Sequence, residues 1–141
     1  MGAADRARAR LVDELRDGGR LPSAAVEEAF RAVPRHLFLP GMPLNRAYAD
    51  EAVAVQAVDG VTTSSASQPS MMAIMLDQLD LRPGHRVLEI GAGTGYNAAL
   101  MARIAHSAHR QVLHLPRDWP WEPGLDGLFR RALHDPLATA A

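Results

Sequence analysis

Residues 86–95 read Arg-Val-Leu-Glu-Ile-Gly-Ala-Gly-Thr-Gly, and they carry the strongest indication of the fold class. It begins with a short apolar run typical of a buried strand and passes through three glycines. The segment that follows carries Leu100, Met101 and Ile104 on one helical face. A strand, a glycine-rich turn and a helix in that order form the first half of a Rossmann-like unit. The sequence therefore predicts an α/β fold.

The glycine loop, residues 91–95, is suited to bind a nucleotide-like cofactor. Glycines permit close approach, and a loop that opens a helix can direct backbone N–H groups at a ligand. The spacing is Gly-x-Gly-x-Gly, with Tyr96 where the dinucleotide pattern requires its third glycine, so we expect a cofactor other than NAD or FAD. The alternative is an ordinary strand-to-helix turn.

Composition and charge exclude several classes of function. The 141 residues suffice for one domain, and 15 basic against 16 acidic residues provide no electrostatic footprint for nucleic acid or an anionic membrane. The absence of cysteine excludes disulfides, thiolate metal sites and cysteine nucleophiles, and it fits a reducing cytoplasm. Since no window reaches the roughly 20 apolar residues of a membrane span, we expect a cytoplasmic protein.

Two amphipathic helices are predicted at the start of the chain. The first spans residues 5–17 and ends at Gly18-Gly19. The second begins after Pro22, with Ser23 as its cap, and is halted by Pro34.

The segment between these helices and the glycine loop is more varied. Residues 33–48 predict an ordered, irregular connection in which Leu37-Phe38-Leu39 are packed. Residues 51–58 predict a short strand, followed by a polar stretch at 62–67.

The clearest helix starts at Pro69. Apolar side chains then recur at i, i+3, i+4 and i+7, namely at Met72, Met75, Leu76 and Leu79. We interpret the methionines of this helix as core filling rather than as a ligand surface, and they are Met71, Met72 and Met75.

Three stretches upstream of the glycine loop resemble one methyltransferase family. They read Val33-Pro34-Arg35-His36-Leu37-Phe38-Leu39-Pro40, Ala47-Tyr48-Ala49-Asp50-Glu51 and Ser67-Gln68-Pro69. Their order and spacing are similar to those of protein-L-isoaspartate O-methyltransferases over about residues 10–104, and the serine-rich and glycine-rich segments look like the actinobacterial branch. The resemblance implies methyl transfer from S-adenosyl-L-methionine to the carboxylate of L-isoaspartyl residues in proteins or peptides, for protein repair or peptide tailoring.

The resemblance also implies roles for five residues. The pattern of Glu89, Gly91, Gly93 and Gly95 is similar to motif I of class I methyltransferases, whose cofactor has a cationic amino-acid end and no pyrophosphate. The family's serine that matches Ser67 lies beside the substrate carboxylate. A carboxyl group with a pKa near 4 is already ionised at neutral pH, so Ser67 is expected to align the substrate rather than to act as a base. Taken alone, the same serine indicates a helix cap.

Other titratable residues receive structural interpretations. Asp50 and Glu51 are interpreted as surface or capping carboxylates rather than as acid/base catalysts. His106 and His109 are three apart, but no carboxylate or cysteine stands at ligand spacing, so we expect exposed histidines and no metal site.

The family pattern breaks after the helix that follows the glycine loop. The next stretch, Val112-Leu113-His114-Leu115, predicts a strand, but the acidic residue that would hold the ribose hydroxyls is absent from its end, and Asp118 comes too late. Only 46 residues follow Gly95, too few for the rest of a doubly wound sheet. We therefore expect N-terminal helices plus the first strand-loop-helix of a class I methyltransferase Rossmann-like fold, with an incomplete sheet. The change of composition near Ala105 leads to the hypothesis of a truncated, recombined or frame-shifted gene.

These observations predict three regions. Residues 1–85 form an N-terminal helical and substrate-loop region, residues 86–105 begin the S-adenosylmethionine-binding unit, and residues 106–141 form a divergent tail. The leading hypothesis is a methyltransferase, and the alternative is a noncatalytic remnant or binding module of the same family. Methylation of an aspartate in a dedicated precursor peptide differs in substrate but not in chemistry.

Overall fold

A computed structural model describes residues 1–21, 23–105 and 112–115. The predicted residues His106, His109 and Asp118 lie outside this part of the chain. The elements in chain order are α1 (Ala3–Asp17), α2 (Ala24–Ala32), a 3-10 helix (Arg35–Phe38), α3 (Leu44–Ala47), β1 (Val53–Val58), β2 (Val61–Ala66), α4 (Pro69–Gln78), β3 (Val87–Ile90), α5 (Tyr96–Ala105) and β4 (Val112–Leu115).

The two predicted N-terminal helices are confirmed. The apolar stripe of α1 is buried at Leu11 and Leu15, and it joins one core with Phe30 of α2. Ser23 occupies the N-cap position of α2, but its side chain makes no capping hydrogen bond. The apolar faces therefore fix the helix pair, while the serine contributes only a favourable backbone position.

The connection after α2 is ordered, but its packing differs from the prediction at one residue. Leu39 is buried, whereas Leu37 is 68% exposed. In a 3-10 helix, side chains three apart lie on the same side, and here Arg35 and Phe38 share the inward side. Leu37 is consequently turned outward, so the expectation that it is packed is wrong.

β1 and β2 form an antiparallel hairpin. The strand predicted at 51–58 is confirmed, but the polar stretch at 62–67 forms most of a second strand that the sequence analysis did not predict. Asp59 and Gly60 have φ values of 50° and 78°, which give the two-residue turn that matches strand twist. The hairpin is largely exposed, and this explains why β2 lacks an alternating apolar pattern.

α4 begins at Pro69 as predicted, but its buried face is shifted. Met72 and Leu76 are buried, whereas Met75 and Leu79 are about half exposed. The buried stripe starts at Pro69 and includes the small Ala73, which allows close approach to the core. The interpretation as core filling holds for Met72 and is wrong for Met75 and also for Met71, which is 50% exposed.

β3, α5 and β4 form the predicted Rossmann-like unit. β3 and β4 are parallel, with Val87 opposite Val112, and α5 connects them. α5 buries an apolar face against the helical core, comprising Tyr96, Leu100, Met101 and Ile104. Among the described residues β3 pairs only with β4, so the sheet is incomplete, as expected. Within that same part of the chain, no helix is long and apolar enough to cross a membrane.

Candidate functional site

The glycine loop leaves β3 and opens α5 through three left-handed residues. Gly91, Gly93 and Gly95 have φ values of 75°, 57° and 84°, a region in which a side chain is strained. A Cβ at Gly91 or Gly93 would meet nothing within 4 Å, whereas one at Gly95 would lie 3.9 Å from the Phe38 ring. The first two glycines therefore face open space, and the third faces the Phe38 ring of the 3-10 helix.

A small cavity of about 180 Å³ lies beside this loop. It brings together four of the five residues that the sequence analysis selected, and Gly95 is the exception. Its lining includes Ser67, Glu89, Gly91 and Gly93 together with Arg35, Tyr96 and Asn97. Ser67 and Glu89 are far apart in sequence, so their convergence on one cavity is a property of the fold.

Asn97 is a site residue that the sequence analysis missed. Its Nδ2 donates a hydrogen bond to Oε1 of Glu89 at 2.8 Å and thereby holds the carboxylate at the end of β3. Asn97 Oδ1 is buried and has no hydrogen-bond partner among the described residues. A carboxylate and an amide oxygen in one cavity are acceptors that suit a cationic or N–H-donating ligand. The signal in the sequence was a polar amide in the first turn of the helix, directly after the glycine loop.

Ser67 lies just before α4 and is exposed. The interpretation of Ser67 as a helix cap is wrong, because Gln68 occupies the N-cap position. Capping is performed by Asp50, whose Oδ1 accepts the N–H of Ser70 at 2.8 Å, and the capping interpretation of Asp50 is confirmed. Among the described residues, nothing hydrogen-bonds to the Ser67 hydroxyl, which therefore remains available to a ligand in the small cavity.

Arg35 is the second site residue that was missed. Only 1% of its surface is exposed, and burial lowers the pKa of its guanidinium below the ordinary value. Its Nη2 donates to the Ser67 carbonyl at 2.9 Å, and its Cζ lies 5.0 Å from the centroid of the Tyr96 ring. Burial also raises the pKa of the Tyr96 hydroxyl. A charged residue inside the apolar stretch 33–39 was the available signal.

A larger cavity of about 860 Å³ also borders the glycine loop and shares residues 91–94 with the small one. Its remaining lining comes from the connection and the hairpin, namely residues 37–40, Met42, residues 54–56 and Ser64. Leu37 and Val55 are both exposed and both line this cavity, so their exposure is concentrated at one place. The described residues contain no group of three or more histidines and carboxylates that could hold a metal ion.

Comparisons with known proteins point to one family. A family model described as protein-L-isoaspartate(D-aspartate) O-methyltransferase matches residues 6–114. The protein-L-isoaspartate O-methyltransferase of Methanopyrus kandleri is 48% identical over 107 residues, covering 76% of this chain and 45% of that protein. The protein-L-isoaspartate O-methyltransferase 2 of Archaeoglobus fulgidus is 47% identical over 108 residues, covering 77% and 47%.

Solved structures show the same fold. A protein-L-isoaspartate O-methyltransferase superposes with a TM-score of 0.63 at 37% identity, covering 76% of this chain and 32% of that one. A Plasmodium falciparum protein described with the same activity, solved in complex with S-adenosyl-L-homocysteine, gives a TM-score of 0.64 at 25% identity, covering 77% and 48%. This chain thus spans less than half the length of these relatives. With a family model matching most of its residues, the chain belongs to the protein-L-isoaspartate(D-aspartate) O-methyltransferase family.

Proposed function

We propose that this chain binds S-adenosyl-L-methionine at the glycine loop and takes part in methyl transfer to the carboxylate of L-isoaspartyl residues in proteins or peptides. The observation that carries the proposal is the convergence of Ser67, Glu89, Gly91 and Gly93 on one cavity. The complex of the Plasmodium falciparum relative with S-adenosyl-L-homocysteine supports the choice of cofactor.

The residues of the small cavity fit the cationic end of this cofactor. Glu89 supplies negative charge, and the buried Oδ1 of Asn97 supplies an acceptor that no described residue uses. Gly91 and Gly93 leave open space in which a ligand can approach the backbone. The first turn of α5 presents N–H groups and the positive end of its dipole at the same place. Gly95, with a φ value of 84°, supplies the left-handed turn that leads into α5.

Ser67 is proposed to align the substrate. When bound, S-adenosyl-L-methionine supplies an electrophilic methyl group on a cationic sulfur. A carboxylate is already ionised at neutral pH, so the chain has no need of a general base. The Ser67 hydroxyl donates a hydrogen bond to one carboxylate oxygen and leaves the other oxygen in line for attack.

The larger cavity is proposed to hold the polypeptide on either side of the isoaspartyl residue. Its size exceeds that of the small cavity, and Leu37 and Val55 give it an apolar wall. In this proposal residues 1–85 contact the substrate, and residues 86–105 begin the part of the chain that binds the cofactor. We assign no role to residues 106–141.

The proposal is tested by methyl transfer with isotopically labelled cofactor. The 141-residue chain is incubated with a peptide that contains one L-isoaspartyl residue and, separately, with the same peptide containing L-aspartate. We expect a base-labile methyl ester on the isoaspartyl peptide alone. Ser67→Ala should lower kcat by about 10-fold to 100-fold because the loss of alignment affects the transition state. Methylation of neither peptide contradicts the proposal, and methylation of the aspartyl peptide favours a dedicated precursor substrate.

A noncatalytic binding module is the second candidate. The observation that favours it is that the larger cavity is lined without Ser67 or Glu89, so that a peptide could dock there without cofactor. Titration of the chain with the isoaspartyl peptide and with S-adenosyl-L-homocysteine separates the two candidates. Binding of the peptide without binding of the cofactor product supports the module, and binding of both supports the enzyme.

A further inference from the structure

Arg35 is a buried cation that contacts both halves of the candidate site. Its Nε donates to the Ala47 carbonyl at 3.0 Å, and its Nη2 donates to the Ser67 carbonyl at 2.9 Å. Its Cζ lies over the Tyr96 ring, 5.0 Å from the centroid. Nη1 contacts Sδ of Met72 at 3.6 Å. One side chain therefore links the connection, the serine loop at residues 64–68 and the start of α5.

Burial of the Arg35 charge gives the folded chain little gain in stability. None of the ion pairs among the described residues includes Arg35. The negative charge of Asp50 favours the protonated form of Arg35, but the Asp50 carboxylate accepts its hydrogen bond from the Ser70 N–H. Two carbonyl oxygens and a ring face replace the water that a guanidinium loses on burial. An apolar side chain such as methionine would fill the same space without that desolvation. Burial of an arginine at this position therefore costs desolvation free energy that a purely structural role does not require.

The contacts of Arg35 set the geometry across the small cavity. Ser67 and Tyr96 both line that cavity, and Arg35 binds the backbone of the first and the ring of the second. Tyr96 is followed by Asn97, which holds Glu89. The Arg35 guanidinium therefore links Ser67 to the segment that holds the Glu89 carboxylate.

We propose that Arg35 is a positioning residue for methyl transfer, which holds Ser67 at its working distance from the cofactor loop. This inference rests on the proposed function. Lysine cannot substitute for arginine here, because an ammonium lacks both the planar fork that reaches two carbonyls and the flat face that covers a ring. Displacement of an aligning group by about 1 Å lowers the rate of such a reaction by about 100-fold.

The test compares Arg35→Lys and Arg35→Met with Arg31→Met as the matched control. Arg31 lies four residues away, is partly exposed and pairs with Asp13 and Glu27 on the helix surface. Hydrogen exchange is measured by mass spectrometry over residues 64–68, 91–97 and 3–17. We expect both Arg35 variants to accelerate exchange in the first two segments and to leave α1 unchanged, and we expect the control to leave the first two segments unchanged.

Kinetics then separate positioning from general stability. We expect Arg35→Lys to lower kcat by about 100-fold while the KM for S-adenosyl-L-methionine changes by less than about threefold. In a Ser67→Ala background the same Arg35→Lys change should have little further effect on kcat, since Arg35 acts through Ser67. Additive losses in the double variant would overturn the proposal, as would unchanged exchange at residues 64–68 in Arg35→Lys.

The two proposals fail in distinguishable ways. Absence of methyl transfer by the wild-type chain refutes the proposed function, and the exchange experiment still decides whether Arg35 holds the two loops. If Arg35→Met does not fold, Arg35→Lys keeps the positive charge and supplies the decisive comparison. Equal kcat values for Arg35→Lys and the wild type overturn the positioning role even if exchange is accelerated.

Discussion

Replacement of Asp50 by alanine should destabilise the chain by removing the cap of α4. Asp50 lies 20 residues before Ser70, and its Oδ1 accepts the Ser70 N–H at 2.8 Å while its Oδ2 accepts from Gln68 Nε2 at 3.3 Å. The carboxylate therefore satisfies an N–H group that the helix itself leaves without a partner. It also holds the start of α4 directly after Ser67.

The expected size of this effect follows from two contributions. Loss of a side chain that caps a helix N-terminus costs about 1 kcal/mol, and loss of a negative charge there costs about 0.3–1 kcal/mol. Asp50→Ala should therefore lower the free energy of unfolding by about 1.3–2 kcal/mol. For a folded unit of this size, the melting temperature should fall by about 4 °C or more for each kcal/mol. Asp50→Asn keeps an acceptor oxygen and loses the charge, so its loss should be about 0.5 kcal/mol.

Urea unfolding followed by circular dichroism measures these differences. Glu51→Ala is the control, because Glu51 is the adjacent carboxylate and is exposed. We expect the losses of stability to rank Asp50→Ala, then Asp50→Asn, then Glu51→Ala, with the last within about 0.5 kcal/mol of the wild type. An Asp50→Ala variant as stable as Glu51→Ala would refute the capping role.

Three further predictions concern stability. Ser70→Ala should stabilise the chain by about 1 kcal/mol in urea unfolding, because the buried Ser70 hydroxyl has no hydrogen-bond partner among the described residues, and a loss of stability would contradict this. Leu39→Ala should cost about 2–4 kcal/mol while Leu37→Ala changes stability by less than about 0.5 kcal/mol, and equal losses would show that Leu37 is packed. A hydrogen bond from an arginine of α2 lowers the pKa of Asp13, so the contribution of this contact is present above the ordinary aspartate pKa of about 4 and is lost as the pH falls through the lowered value. Asp13→Asn should therefore flatten the acid side of the stability profile measured by urea unfolding, and an unchanged profile would contradict the shift.

Local signals in the sequence predicted much of this fold. The structure confirms both N-terminal helices, the helix at Pro69 and the unit around the glycine loop. They could be predicted because each combines a periodic apolar face with a breaker at its end. β2 was missed because an exposed strand has no alternating apolar pattern, although Asp59-Gly60 between two valines is a turn signal that could have revealed it. The exposure of Leu37 depends on 3-10 geometry, which hydrophobicity does not encode.

The candidate site was predictable only in part. Ser67 and Glu89 were selected by resemblance, and the fold places both on one cavity. Arg35 was missed because its partner Ser67 lies 32 residues away, and a contact of that range leaves no mark in local spacing. Asn97 was missed because its role is to bind the Glu89 carboxylate, and the two side chains meet only when β3 and α5 are packed together.

Titration of the chain with S-adenosyl-L-homocysteine by calorimetry shows whether the glycine loop binds the cofactor product. The matched variants are Glu89→Gln, in the small cavity, and Glu51→Gln, on the surface. We predict saturable heat for the wild type and for Glu51→Gln, and affinity weakened by about tenfold or more for Glu89→Gln, which corresponds to about 1.4 kcal/mol. No detectable heat from the wild type at millimolar ligand, or equal affinity for Glu89→Gln and the wild type, would contradict a cofactor site at the glycine loop.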